Sequence, residues 1–119
     1  MKIEKEQELR RAFRVLSACL NELQDEYAGG QVEQIGREIF SAPGPTGKRM
    51  ATLRSFLRSV LASRPGGVTE YYFELGFPDS QRKNGEYEDA LNRVRRFALG
   101  HVWDFLRPEP KIRLSSYDA

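Results

Sequence analysis

Apolar residues recur every three or four positions along much of the chain, which is the spacing of one face of an α-helix. Three stretches show this spacing most clearly, residues 4–27, 48–62 and 86–106. Each stretch is polar on its other side and is long enough for several helical turns, so each predicts an amphipathic helix. The periodicity therefore predicts a mainly α fold.

Glycine and proline divide the first half of the chain. Gly29 and Gly30 follow the first stretch and predict the end of the first helix, because glycine tolerates the left-handed conformation found after helix C-termini. A shorter second helix is expected over residues 31–40, and the two prolines and two glycines of residues 41–47 predict a loop. A similar succession of helix, glycine pair and short helix recurs 37 residues later. Either an internal duplication or the general similarity of amphipathic helices that end at glycine explains this repeat.

The segment VTEYYFELGF, residues 68–77, combines strand and helix signals. Its β-branched and aromatic residues favour a strand, whereas Thr69 can cap a helix and Gly76 with Pro78 can end one. Three consecutive aromatic residues break the alternation of a half-buried strand, so the pattern favours a short fourth helix. A polar loop over residues 78–85 then leads to the fifth helix.

Composition is that of one globular domain. The chain has 119 residues, of which 39% are hydrophobic and 30% charged, so we expect a single domain over residues 1–119. Within it, residues 1–40 are expected to form a helical hairpin. No apolar run approaches the roughly 18 residues of a membrane helix, and the N-terminus lacks the apolar centre of a secretory signal. We therefore expect a soluble protein without a membrane partner.

Few residues are suited to catalysis or metal binding. Cys19 is the single cysteine and His101 the single histidine, which excludes an internal disulfide and a Cys/His zinc cluster. These absences predict a reducing, cytoplasmic setting. A nucleophile paired with a base is not recognisable, so we expect no enzymatic activity and no cofactor.

Charge is distributed unevenly although the net charge is only +2. Residues 41–65 carry five bases and no acid, whereas residues 66–92 carry two bases and six acids. Fourteen of the nineteen bases are arginine, which suits bidentate contacts to phosphate or carboxylate groups. A GC-rich genome produces the same arginine excess without any functional meaning.

The outer face of the predicted fifth helix presents Asn92, Arg93 and Arg96. Asparagine and arginine pair bidentately with adenine and guanine edges in the major groove of DNA. The third helix supplies basic residues for the flanking phosphates, namely Lys48, Arg49, Arg54 and Arg58. A solvated arginine face is the alternative interpretation, and acids at the start of the fifth helix oppose DNA binding.

Four segments follow the order of a known DNA-binding domain. Residues 53–61, 69–77 and LNRVRRF at 91–97 succeed one another as helix, short helix and basic helix, and KIRL at 111–114 can form a strand. In this order the chain resembles the winged helix-turn-helix domain of the OmpR/PhoB response-regulator class. The resemblance implies that residues 48–119 form a winged-helix-like part with a short C-terminal β-hairpin. It also implies a small regulator that binds double-stranded DNA.

A second interpretation is a protein-binding adaptor or inhibitor, for example one encoded by a phage. Aromatic residues and arginine carry much of the binding energy at protein interfaces. The expected anchors are Tyr71, Tyr72 and Trp103. Leu99, Trp103 and Leu106 form a second apolar stripe, which the N-terminal helix, a second copy in a homodimer or a partner would cover. The acidic stretch 70–89 favours a basic protein partner over DNA.

Overall fold

The structure, a computed structural model, describes the backbone of residues 3–106 and the side chains of residues 4–100. This part of the chain contains no strand, one 3-10 turn at Val68–Glu70 and four α-helices: α1 Ile3–Glu22, α2 Glu26–Ile39, α3 Gly47–Val60 and α4 Ser80–Leu106. The mainly helical prediction is confirmed, but the count of five helices is not. The predicted hairpin strand at 111–114 lies outside the described residues. None of the helices described is long and apolar enough to span a membrane.

The first helix ends earlier than the apolar spacing predicts. Gln24 has a positive φ of 70°, and Asp25 caps α2 by accepting a hydrogen bond on Oδ1 from the N–H of Ala28 at 3.0 Å. A carboxylate at a helix N-terminus satisfies a backbone N–H that has no helical partner. The predicted helix over residues 4–27 is therefore wrong at its end, because the apolar stripe is shared by two helices.

The glycine pair Gly29 and Gly30 lies inside α2, so the prediction that it ends a helix is wrong. Gly29 is buried at the crossing with α1, where the Ser17 hydroxyl donates to the Gly29 carbonyl at 2.9 Å. Two helical turns later, a Cβ on Gly36 would lie 2.9 Å from the ring of Phe13. Gly29 and Gly36 thus allow a close approach between α1 and α2 rather than a turn.

One core joins the four helices. α1 packs against α2 and α4, and α3 packs against the same two helices. The largest fully buried side chains come from all four helices and from the segment after α3: Leu16, Leu20, Val32, Leu53, Leu57, Leu61 and Val94. Cys19 is buried in this core, and its burial raises the pKa of the thiol.

The connection between α3 and α4 is mostly irregular. Only Val68–Glu70 forms a 3-10 turn, and Tyr71 continues with extended backbone at φ −71° and ψ 145°. The short fourth helix predicted over residues 68–77 is therefore wrong. Gly66 has a φ of 72° in the preceding turn, unlike the glycine pair inside α2. The two glycine pairs thus have different roles, and the helices described do not repeat the predicted unit.

The last helix ends at Leu106 as predicted but differs from its prediction at its start and at Gly100. α4 begins at Ser80, inside the stretch predicted as a polar loop. Gly100, with φ 6° and ψ −93°, interrupts the helical backbone, so residues 86–106 do not form one continuous rod. The guanidinium of Arg54 lies against Gly100 where a side chain would otherwise stand. The side chains of Trp103 and Leu106 lie outside the described residues, whereas Leu99 of the same predicted stripe is half-buried and lines a cleft with Leu57.

Candidate protein-binding surface

The basic face predicted on α4 lies beside the N-terminal half of α1. Arg93 donates through Nε to Asp89 at 2.9 Å, and a second nitrogen lies 3.5 Å from Glu8 of α1. Asn92 and Arg96 are half-buried, and Arg96 lines the same cleft as Lys5 and Leu9 of α1. Arg93 and Arg96 therefore contribute to the α1–α4 contact, and both of the cited Arg93 partners are acids.

The basic residues of α3 also contact other parts of the fold. Arg49 donates to Glu38 of α2 through two nitrogens at 2.5 and 2.9 Å, and this hydrogen bonding lowers the pKa of the Glu38 carboxyl. Arg54 stacks on the Phe97 ring at 4.3 Å, and Arg58 donates to the Ala98 carbonyl at 2.8 Å. Lys48 is exposed. Three of the four residues predicted to hold phosphates thus have partners within the fold.

The two predicted tyrosine anchors have different environments. Tyr71 is half-buried, and its hydroxyl donates to Oδ2 of Asp25 at 2.7 Å. The hydrogen bond to Asp25, followed by burial, raises the pKa of Tyr71. Tyr72 is 65% exposed. Only Tyr72 is therefore presented to a partner, while Tyr71 ties its segment to the start of α2.

Tyr72 belongs to a segment that exposes several large apolar side chains. Leu75 is 95% exposed and Phe77 is 37% exposed, all within residues 72–78, which we name the apolar loop. Scattered exposed apolar residues are normal, but a cluster of them marks an interaction surface. Sequence reasoning missed Leu75 and Phe77. Their signal was the sequence FELGFP, in which glycine and proline prevent a helix from burying them.

The apolar loop is held against the body of the protein. Phe73 is buried, and its backbone N–H and carbonyl both bond to the Asn84 side chain of α4, at 2.6 and 2.9 Å. The Phe73 and Phe77 rings lie 5.0 Å apart, and the Lys83 ammonium lies 5.5 and 5.2 Å from their centres. Lys83 also donates to Glu22 of α1 at 2.7 Å. These contacts hold the loop in one conformation while leaving Leu75 in solvent.

A recess of about 560 Å³ lies between the apolar loop and the end of α1. Its walls include Leu23, Tyr72 and Phe77, with Glu22 and Glu74 also lining it. The recess has room for apolar side chains of a partner, and the carboxylates favour a partner with positive charge. Among the described residues, no group of three metal-ligating side chains stands close enough to hold a metal ion.

Comparison with known proteins finds no matching family model, no similar curated protein and no similar solved structure. The choice between functions therefore depends on the geometry and charge of the protein's surfaces. The clearest of these is the apolar loop with its acidic surroundings.

Proposed function

We propose that this chain is a non-enzymatic protein-binding adaptor or inhibitor that docks on a basic partner through the apolar loop. The observation that carries the proposal is the 95% exposure of Leu75, which lies between the exposed side chains of Tyr72 and Phe77. Hydrogen bonds from Asn84 to the backbone of Phe73 attach this loop to α4. A leucine in that position gains nothing for the isolated fold. Its burial against a partner is favourable.

Burial of these side chains against a partner supplies part of the binding free energy. Fully burying one leucine or phenylalanine side chain contributes about 1.5–3 kcal/mol. Leu75 and Tyr72 still have most of their surface to bury, while Phe77 is only 37% exposed and adds less. The cost of association must be subtracted from their sum. Because Asn84 and Phe73 already fix the loop, little of that cost goes into ordering it.

Charge selects the kind of partner. Residues 66–92 carry six acids and two bases, with Glu70 just before the apolar loop and Glu74 within it. Such a surface repels the phosphates of nucleic acid and attracts a basic protein surface, with the strongest effect on the association rate. The preferred partner is therefore a protein with an apolar side chain surrounded by lysine or arginine.

The test compares variants of exposed residues as baits in extracts of the source organism. Leu75→Ser and Tyr72→Ser remove apolar contacts of the loop, and Tyr27→Ser removes an aromatic side chain that is 73% exposed on α2. We expect a basic protein that is retained by the wild type and by Tyr27→Ser and is lost with the two loop variants. Retention that is equal for all four baits would contradict the proposal.

A DNA-binding regulator of winged-helix type is the second candidate, and the charge of α3 favours it. Residues 41–65 hold five bases and no acid, and Arg58 of α3 and Arg95 of α4 line one cleft. Phosphate contacts release counterions, so the affinity for random duplex DNA should fall steeply with salt. A mobility shift at two salt concentrations tests this, with Arg58→Ala combined with Arg95→Ala as the variant that should weaken binding and Gln34→Ala as the control. Absence of a shift at low salt would remove this candidate.

A further inference from the structure

A groove on the α1–α2 hairpin combines arginines with an aromatic floor. It has a volume of about 300 Å³. It is lined by three arginines and one acid, together with Phe13, Ser17, Gly36 and Phe40; the charged residues are Arg10, Arg14, Arg37 and Glu33. We name it the arginine groove. The Phe13 and Phe40 rings meet edge to face at 5.6 Å, and the Arg10 guanidinium lies 5.0 Å from the centre of Phe40.

The charges of the arginine groove are available to a ligand. Arg10 pairs with Glu6 at 3.1 Å and Arg37 with Glu33 at 2.6 Å, but both are exposed pairs between adjacent helical turns. Such pairs stabilise a helix by only about 0.3–0.5 kcal/mol, so the carboxylate of a ligand competes with them readily. Arg14 is also exposed. The groove therefore suits an acidic segment that carries an apolar or aromatic side chain.

The apolar loop of the same chain has this composition. It presents Tyr72, Leu75 and Phe77 next to the carboxylates of Glu70 and Glu74. The most exposed apolar segment of the described chain and its arginine groove thus complement each other in charge and polarity.

The loop is too far away to occupy the groove of its own chain. Glu22, beside the loop, lies eight residues after Arg14 and twelve after Arg10 on α1, which corresponds to about 12 and 18 Å along the helix. Phe73 and Asn84 hold the loop at its own end of the molecule. Any contact between loop and groove must therefore join two molecules.

We propose that the arginine groove of one copy binds the apolar loop of a second copy, head to tail. The inference rests on the proposed function, since it names a second copy as the basic partner of the loop. Because the two surfaces differ, the contact is heterologous: each added copy leaves one free loop and one free groove, unless a ring closes. Assembly should therefore grow with concentration and weaken with salt.

The test is sedimentation velocity of the full chain from micromolar to millimolar concentration. The groove variant combines Arg14→Glu with Arg37→Glu, and the loop variant combines Tyr72→Ser with Leu75→Ser. The control, Arg11→Glu, reverses one exposed charge elsewhere on α1. We expect wild type and Arg11→Glu to associate, and each double variant alone to stay monomeric with its dissociation constant raised at least tenfold. An equimolar mixture of the two double variants should form a dimer that does not grow further, because one intact loop meets one intact groove. Circular dichroism of each variant verifies that it is folded.

Two results would overturn the inference. A wild type that stays monomeric at millimolar concentration excludes head-to-tail association, as does association that persists in both double variants. Neither result bears on whether the loop binds another protein, which the bait experiment decides separately. Both proposals are wrong if the loop captures no partner in the bait experiment and the loop variant still self-associates.

Discussion

Asn84 holds the backbone of Phe73 at both of its polar groups. Its Oδ1 accepts from the Phe73 N–H at 2.6 Å, and its Nδ2 donates to the Phe73 carbonyl at 2.9 Å. A side-chain amide carries both a donor and an acceptor, so it can pair with the carbonyl and the N–H of the same residue. The pairing connects α4 to the apolar loop and keeps Phe73 in the core while its neighbours face solvent.

Asn84→Ala should therefore release the loop. Two partly buried backbone groups lose their partner, which should lower the free energy of unfolding by about 1–3 kcal/mol. Urea unfolding measures this loss, and amide hydrogen exchange at Phe73 should become faster. Gln81→Ala, an exposed change in the first turn of α4, is the control. Unchanged exchange at Phe73 would mean that the loop is held by its aromatic contacts alone.

The two glycine substitutions in α2 should have opposite effects. Alanine normally favours a helix over glycine by about 0.5–1 kcal/mol, and Gly30 has open space around the missing Cβ, so Gly30→Ala should stabilise the protein by that amount. Gly36→Ala places a Cβ 2.9 Å from the Phe13 ring and should lower the free energy of unfolding of the protein by about 1–3 kcal/mol. Thermal unfolding of both variants gives the comparison. A stabilising Gly36→Ala would contradict the close crossing of α1 and α2.

The bond between Tyr71 and Asp25 should make stability depend on alkaline pH. Hydrogen bonding to Asp25 raises the folded-state pKa of Tyr71 above its ordinary value of about 10. The hydrogen bond's contribution to the free energy of unfolding is therefore fully present below pH 10. It is lost as pH rises through the folded-state pKa, because the Tyr71 hydroxyl of the unfolded chain loses its proton at lower pH than that of the folded chain. Unfolding free energies between pH 8 and 12 should fall less steeply in Tyr71→Phe. Asp25→Asn keeps an acceptor for the α2 cap but removes the charge, and should give an intermediate slope.

The helices with regular apolar spacing were predictable, whereas the segments fixed by distant contacts were not. The spacing located α3 closely, since its apolar face and the loop before it are local features. Gly29 and Gly36 have no local signal for their role, because Ser17 and Phe13 of another helix decide it. Residues 68–77 lack a regular period, and their conformation depends on contacts from Asp25 and Asn84 that no short sequence window contains.

The candidate site was predictable only in part for the same reason. The aromatic pair at Tyr71 and Tyr72 was recognisable, but the bond to Asp25 decides that one faces the core and the other solvent. The arginines of α3 and α4 stand out in the sequence, yet their partners Glu38, Phe97 and Glu8 lie on other elements or far along the chain. Composition identifies residue types suited to binding, and tertiary contacts decide which of them remain available.

The most direct test of the proposed binding surface is site-specific photo-crosslinking from position 75. A benzophenone amino acid in place of Leu75 should form a covalent adduct with the partner on irradiation, while the same group in place of Ser55, exposed on α3, should not. Glu74→Lys, at the neighbouring position, should reduce the yield of adduct severalfold, because it reverses a charge of the loop itself. Adducts from position 55 but none from position 75 would show that the partner binds elsewhere and would contradict the assignment of the apolar loop as the docking surface.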